Sequence, residues 1–193
     1  MNEPPLIIVS GPSGSGKSTI IGRILAEGEL PLKVSVSATT RPPRPGERDG
    51  IDYHFWTPER FEEEVRAGSF LEWAKVHGAC YGTLWREVEP PRRQGKIVIL
   101  DIDVQGAAQL RRLFPDAVTV FLRTSSWSAY EERLRRRHTE DEAAIRGRLE
   151  TAKKEMEHAS EYRYQVINDD LDTAVAEFRR ILNHCYKRES HVG

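Results

Sequence analysis

Cysteine is almost missing from this sequence: there are two in 193 residues, Cys80 and Cys185, far apart and outside any C-x-x-C spacing. That excludes a disulfide scaffold and a cysteine-type structural zinc site, and it points to a reducing compartment. Charge of one sign is missing too. Lys and Arg number 29 against 30 Asp and Glu, a net charge of −1. No overall field would hold the chain on nucleic acid, so anions must be bound by local clusters. Long apolar runs are also lacking, with only Leu6 to Val9 strongly apolar in succession near the N-terminus. That run is too short for a signal-peptide core or a membrane span. The expectation is a cytoplasmic protein with neither a membrane nor a nucleic-acid partner. Internal repeats and low-complexity segments are absent.

What is present suits one globular domain, with 38% hydrophobic and 31% charged residues. "LIIVS", "KIVILDID", "AVTVFL" and "YQVIN" read as buried strands, and "KVSVSATT" alternates like a strand with one wet face. "DYHFW" is a further short strand candidate. Helical patterns lie between them. "TPERFEEEVRAG" has Thr57 at the N-cap, Pro58 at the first helical position and Gly68 as its stop. Thr139 with Glu142 reads as a capping box for a helix whose apolar stripe is Ile145, Leu149, Ala152 and Met156. Leu171, Val175, Phe178, Ile181 and Leu182 mark a final helix, and apolar periodicity stops near Lys187. Strands alternating with helices predict an α/β fold with a mainly parallel sheet flanked by helices. The stretch from about 38 to 90, rich in proline and aromatics, reads as an inserted lobe.

"GPSGSGKS", from Gly11 to Ser18, fits G-x-x-x-x-G-K-[ST] between a strand and a helix. Glycines let backbone N–H groups turn inward around phosphate oxygens, and the next helix offers its positive N-terminus. Lys17 would reach the β- and γ-phosphates, and the Ser18 hydroxyl would be a Mg²⁺ ligand. Ser13, Gly14, Ser15, Gly16 and Thr19 complete the expected triphosphate site. The plain alternative is a glycine-serine connection. The motif in this context predicts binding of a nucleoside triphosphate, ATP.

"TTRPPRPGERDG" then supplies Arg41 and Arg44 in a proline-stiffened segment. The planar arginine fork suits bidentate contact with phosphate. Ser37, Tyr53 and Tyr81 add hydroxyl donors. The plain alternative is an exposed loop with solvated arginines. Two anion sites in succession suggest a phosphoryl donor facing a phosphorylated acceptor.

The ordered set "GPSGSGKS", "SATTRPPRPGERDGIDYHF", "FLEWAKVHGACYGT", "ILDIDVQG", "ERLRRRHTEDEAAIRGRL" and "VINDDLD" resembles the guanylate kinases, from about Leu6 to Leu182. The resemblance implies a P-loop NTPase-type core (about 4–37, 91–125 and 160–187), a GMP-binding lobe (about 38–90) and a helical lid (about 126–159). It implies phosphoryl transfer from ATP to GMP with Mg²⁺, in a monomer or small homo-oligomer. Ser37, Arg41, Arg44, Tyr53 and Tyr81 would then hold the GMP phosphate. Glu72, Thr83 and Asp103 would read or seat the guanosine, Asp101 would lie near Mg²⁺ and its waters, and Asn168 and Asp169 would lie near the adenine. Guanine offers N1–H and an exocyclic amine side by side, and a carboxylate accepts from both. Adenine turns an unprotonated N1 to the same oxygens. Taken alone, Glu72 would read as a surface glutamate.

The arginine-rich segment, Arg133, Arg135, Arg136 and Arg137 with Arg146 and Arg148 beyond, could be a solvated helix face. Similarity to the family's lid selects Arg133 for ATP, and Arg137 and Arg148 with Lys17 and Arg44 for catalysis. A one-residue shift would exchange Arg136 for Arg137. No general base is required, because a phosphate monoester dianion is already a nucleophile, so positioning and charge stabilisation suffice. Two other readings stay open: a related kinase acting on a sugar phosphate, and a non-catalytic guanylate-kinase-like interaction module.

Overall fold

The computed structural model describes residues 4–76, 78–135 and 142–190. Strand β1 (Leu6–Ser10) is buried at every position because it runs through the middle of a five-stranded sheet. Helix α1 (Lys17–Glu27) follows the glycine-rich turn, and β2 (Leu32–Val34) reaches the sheet's edge. The chain then leaves for a second sheet through β3 (Ala38–Thr39), β4 (His54–Phe55), α2 (Pro58–Arg66), β5 (Phe70–Val76) and β6 (Ala79–Leu84). Helix α3 (Trp85–Arg93) returns it to β7 (Ile97–Asp101), α4 (Val104–Leu113) and β8 (Val118–Arg123). After α5 (Trp127–Arg135) and α6 (Glu142–Glu157), β9 (Tyr164–Ile167) completes the sheet, and α7 (Leu171–Ser190) packs beside α1.

The central sheet has the order β2-β7-β1-β8-β9 with every pairing parallel. This is the expected α/β class with a mainly parallel sheet flanked by helices. Ile7 and Val9 of β1 face one layer with Ile20, Ile24, Phe178 and Leu182. Leu6 and Ile8 face the other with Leu100, Ala107, Leu110 and Phe121. Helices cover both sides, which is why these strands read as continuous apolar runs and not as alternations. The register sets Val9 beside Asp101, so β1 and β7 end together. Ligands of such sheets sit at those carboxyl ends.

The second sheet has the order β4-β3-β6-β5 over a small core of Trp56, Phe61, Leu84 and Phe70. Phe61 and Phe70 stack at 4.5 Å. The single strand expected in "KVSVSATT" is divided. The Ser35 N–H still donates to the Ile99 carbonyl of the central sheet, while the Ser37 carbonyl already accepts from His54 of the second. Three residues suffice to change sheets. Thr57 caps α2 as expected, its hydroxyl accepting from the Arg60 N–H at 3.3 Å. Thr139 of the expected capping box lies outside the described residues. Helix α7 continues to Ser190, past the point where apolar periodicity stops.

Candidate active site

Where β1 ends, the chain must reverse before α1, and it does so with Gly11 and Gly16 at φ 147° and 90°. A Cβ on Gly11 would run into the Leu122 carbonyl, and one on Gly16 into the Asn168 amide. Helix α1 has no side chain capping its first N–H groups and no acid in its first turn. By contrast, Thr57 caps α2 and Asp103 caps α4. Uncapped donors at the positive end of a helix form an anion site. Lys17 stands over it, its Nζ donating to the Gly11 carbonyl at 2.7 Å and lying 3.9 Å from Asp101.

Asn168 braces this turn from behind. Its buried side-chain amide donates to the Ser15 carbonyl at 2.8 Å, and its own carbonyl accepts from Arg133 at 2.7 Å. Asp169 accepts from the Ser125 N–H at 2.9 Å, and hydrogen bonding by the Ser125 side chain and then its backbone holds its carboxyl below the usual range. We expect Asn168→Ala to lower stability by about 1–3 kcal/mol, since it leaves a buried carbonyl unpaired. It should also weaken ATP binding. Thermal melts with and without nucleotide would read both effects.

Two cavities meet at Lys17. One, about 520 Å³, is walled by Ser13 to Ser18 on one side and by Ser37, Arg44, Tyr53 and Asp101 on the other. The second, about 220 Å³, shares Ser13, Ser37, Arg44, Tyr53 and Asp101 with it and adds Gly11. It continues past Tyr81 and Asp103 to Glu72, and α6 closes it with Arg148, Thr151 and Glu155. The central sheet, the second sheet and α6 thus contribute to one space.

Glu72 is 4% exposed. Its Oε1 accepts from the Thr83 hydroxyl at 2.6 Å, across the β5–β6 pairing that sets the two residues opposite. Burial, with Asp103 adding repulsion, pushes its carboxyl up to about 7. Asp103 accepts from the N–H groups of Gln105 at 2.6 Å and Gly106 at 3.0 Å, so the α4 N-terminus holds it. Burial pushes Tyr53 up to about 12, keeping its hydroxyl a donor. The Asp101 carboxyl is raised by burial against the pull of Lys17. Chemically, the space offers cations and hydroxyls at one end and a paired-acceptor carboxylate at the other.

Not every residue singled out in the sequence reaches these cavities. Arg44 lines both, but the Arg41 guanidinium is clasped by Glu47, with two contacts of 2.9 Å, and lies over the Tyr53 and Phe55 rings. Thr83 stands behind Glu72. Thr19 is exposed on α1, and Arg133, Asn168 and Asp169 lie outside both cavity walls. Arg137 and Arg136 lie outside the described residues. Glu155 was missed: it lines the second cavity, and burial pushes its carboxyl up to about 7 while Lys17 pulls the other way. The signal was available, since Arg148, Thr151 and Glu155 stand at i, i+3 and i+7 and must share one helix face.

Comparison with known proteins matches residues 3–185 to the guanylate kinase family model. The guanylate kinase of Symbiobacterium thermophilum is 48% identical over 94% of this chain and 86% of its own length. That of Fusobacterium nucleatum is 43% identical over 97% of this chain and all of its own. The crystal structure of guanylate kinase from Anaplasma phagocytophilum covers 95% of this chain and 87% of its own, with a TM-score of 0.78 and 29% identity. With a phosphate turn, an arginine-lined cavity and a buried carboxylate joined in one space, and with a family match over nearly its whole length, this chain belongs to the guanylate kinase family.

Proposed function

We propose that the chain transfers the γ-phosphate of Mg-ATP to GMP, giving ADP and GDP, and that it works in purine nucleotide metabolism. One observation carries this reading: the cavity that begins at Lys17 ends at Glu72. A phosphate group near Arg44, Ser37, Tyr53 and Tyr81 can therefore belong to the same molecule as a base read by Glu72. Lys17 and the α1 N-terminus hold the donor's phosphates, and Arg148 on α6 neutralises charge on the group in transit. The division into core, GMP lobe and lid follows from the same reading, with α6 as part of the lid. Its closure would exclude water that otherwise hydrolyses ATP.

The residues present fit Mg²⁺. Ser18 and Asp101 are hard oxygen donors beside the phosphate turn, and such ions take most of their ligands from phosphate and water. Ser18 would hold the ion and Asp101 its waters, and the bound ion would neutralise phosphate charge. Among the described residues no helix is long and apolar enough to cross a membrane. ATP and GMP are the partners in this reading, the setting is the cytoplasm, and the chain acts as a monomer or small homo-oligomer.

The test is coupled ADP production with Mg-ATP offered separately to GMP, AMP, CMP, UMP and a ribose phosphate. GMP alone should turn over at a substantial rate. Turnover with the sugar phosphate in its place would keep the phosphate-turn argument and remove the guanine one. Silence on all of them, from folded protein, would favour the interaction module.

A further inference from the structure

Helix α4 carries a glycine that its backbone does not ask for. Gly106 sits in the first turn, with an ordinary helical conformation rather than a positive φ. Even in a first turn, glycine surrenders more freedom on folding than alanine would. The other helical glycines, Gly22 and Gly147, face open space, with nothing within 4 Å of an added Cβ. Gly106 differs. A Cβ there would lie 2.9 Å from the Glu72 Cδ and closer still to Oε2.

The Glu72 carboxylate is therefore fixed from two sides. Thr83 of β6 donates to Oε1 at 2.6 Å, and Oε2 rests where a side chain on residue 106 would stand. The Gly106 N–H also donates to Asp103 at 3.0 Å, so the same turn positions both acids. A carboxylate pushed off Gly106 has two ways to go. It can leave Thr83, or it can swing into the cavity where the base would lie.

We infer that Gly106 is a specificity-determining position that acts through Glu72, its missing side chain being the room in which the guanine-reading carboxylate is seated. This rests on the reading of Glu72 given above. Gly106 lines neither cavity, so it is a positioning residue.

The experiment measures steady-state turnover of GMP and AMP, the KM for ATP and the thermal midpoint in five proteins: the parent, E72Q, E72D, G106A and E72D/G106A. G106A is expected to raise the KM for GMP about tenfold or more, the scale of one hydrogen bond to a charged group. The KM for ATP should stay within about twofold, and the midpoint should fall below the parent's, because crowding the buried carboxylate outweighs the small gain in helix propensity. A merely structural glycine would not split the two KM values in this way. E72D shortens the acid by one methylene and opens space for the Cβ. In that background G106A should change the KM for GMP by less than about threefold, a coupling between touching residues.

A KM for GMP within about twofold of the parent in G106A, or an equal loss in both backgrounds, overturns the proposal. Should G106A not fold, recovery of folding in E72D/G106A supports the same contact, and no recovery overturns it. The reading beneath is tested separately. If E72Q keeps the parent's preference for GMP over AMP, or the parent does not use GMP, that reading falls and this proposal falls with it.

Discussion

Lys17→Ala is expected to lower the rate of phosphoryl transfer by about 10³-fold or more, the range seen when one preorganised cation or donor is taken from such a transition state. The loss should fall mainly on kcat. Charge builds on the oxygens between donor and acceptor as the bond loosens, so the ammonium does most there and less for bound ATP. Its position is already set, since Nζ is tied to the Gly11 carbonyl at 2.7 Å and faces Asp101 at 3.9 Å. Lys17→Arg should not restore the rate, because a planar fork cannot occupy that narrow place as a point charge does. Single-turnover kinetics with Mg-ATP and GMP would read the step, and a loss below about tenfold would remove Lys17 from the transition state. A second readout is electrostatic. Lys17 pulls the Asp101 and Glu155 carboxyls down against burial, so its removal should raise both, as carboxyl-carbon NMR titration would show.

Much of the fold was legible because its physics is local. The apolar runs at Leu6–Ser10, Ile97–Asp101 and Val118–Arg123 are strands buried on both faces, a pattern that survives without knowledge of neighbours. The second sheet was legible only in part: "DYHFW" holds β4 and "KVSVSATT" holds β3, but β5 and β6 were not read. Along β5, Phe70, Leu71, Glu72 and Trp73 do not alternate in polarity, because Glu72 is polar and buried while Trp73 is apolar and 44% exposed. A buried carboxylate and periodicity pull against each other there. The division of "KVSVSATT" was hidden for a different reason, since a switch between sheets leaves no mark on alternation. At the site, residues in motifs were visible by type, but their partners were not. Nothing in the sequence says that Glu47 clasps Arg41 or that the Asn168 amide is spent on the Ser15 carbonyl. Those are long-range or loop contacts, set by tertiary packing.

Glu72→Gln is expected to lower the ratio of GMP to AMP turnover by about 10³-fold, within the discrimination that hydrogen-bonding sites reach. The carboxylate presents two acceptors to guanine's N1–H and amine, whereas the amide sets a donor against one of them. Adenine's unprotonated N1 can accept from the amide N–H instead, so AMP should gain as GMP loses. The fold should persist, because the glutamine carbonyl can still accept from Thr83 at the place now bonded at 2.6 Å. The pH dependence carries the same argument with a fixed sign. Burial lifts Glu72 from 4.5 to about 7, so the free chain takes up a proton there that its unfolded form would release. Stability from this group is full below about 4.5 and is lost as pH rises through about 7, and the glutamine variant should lack that decline. Recognition runs the other way. Two acceptors exist only when Glu72 is ionised, so kcat/KM for GMP should climb with pH through about 7 in the parent and not in the variant. The substrate phosphate and Glu155 titrate nearby but are common to both proteins, so the difference between the two profiles isolates Glu72. Parallel profiles, with the GMP preference intact, would separate this carboxylate from the reading of the base.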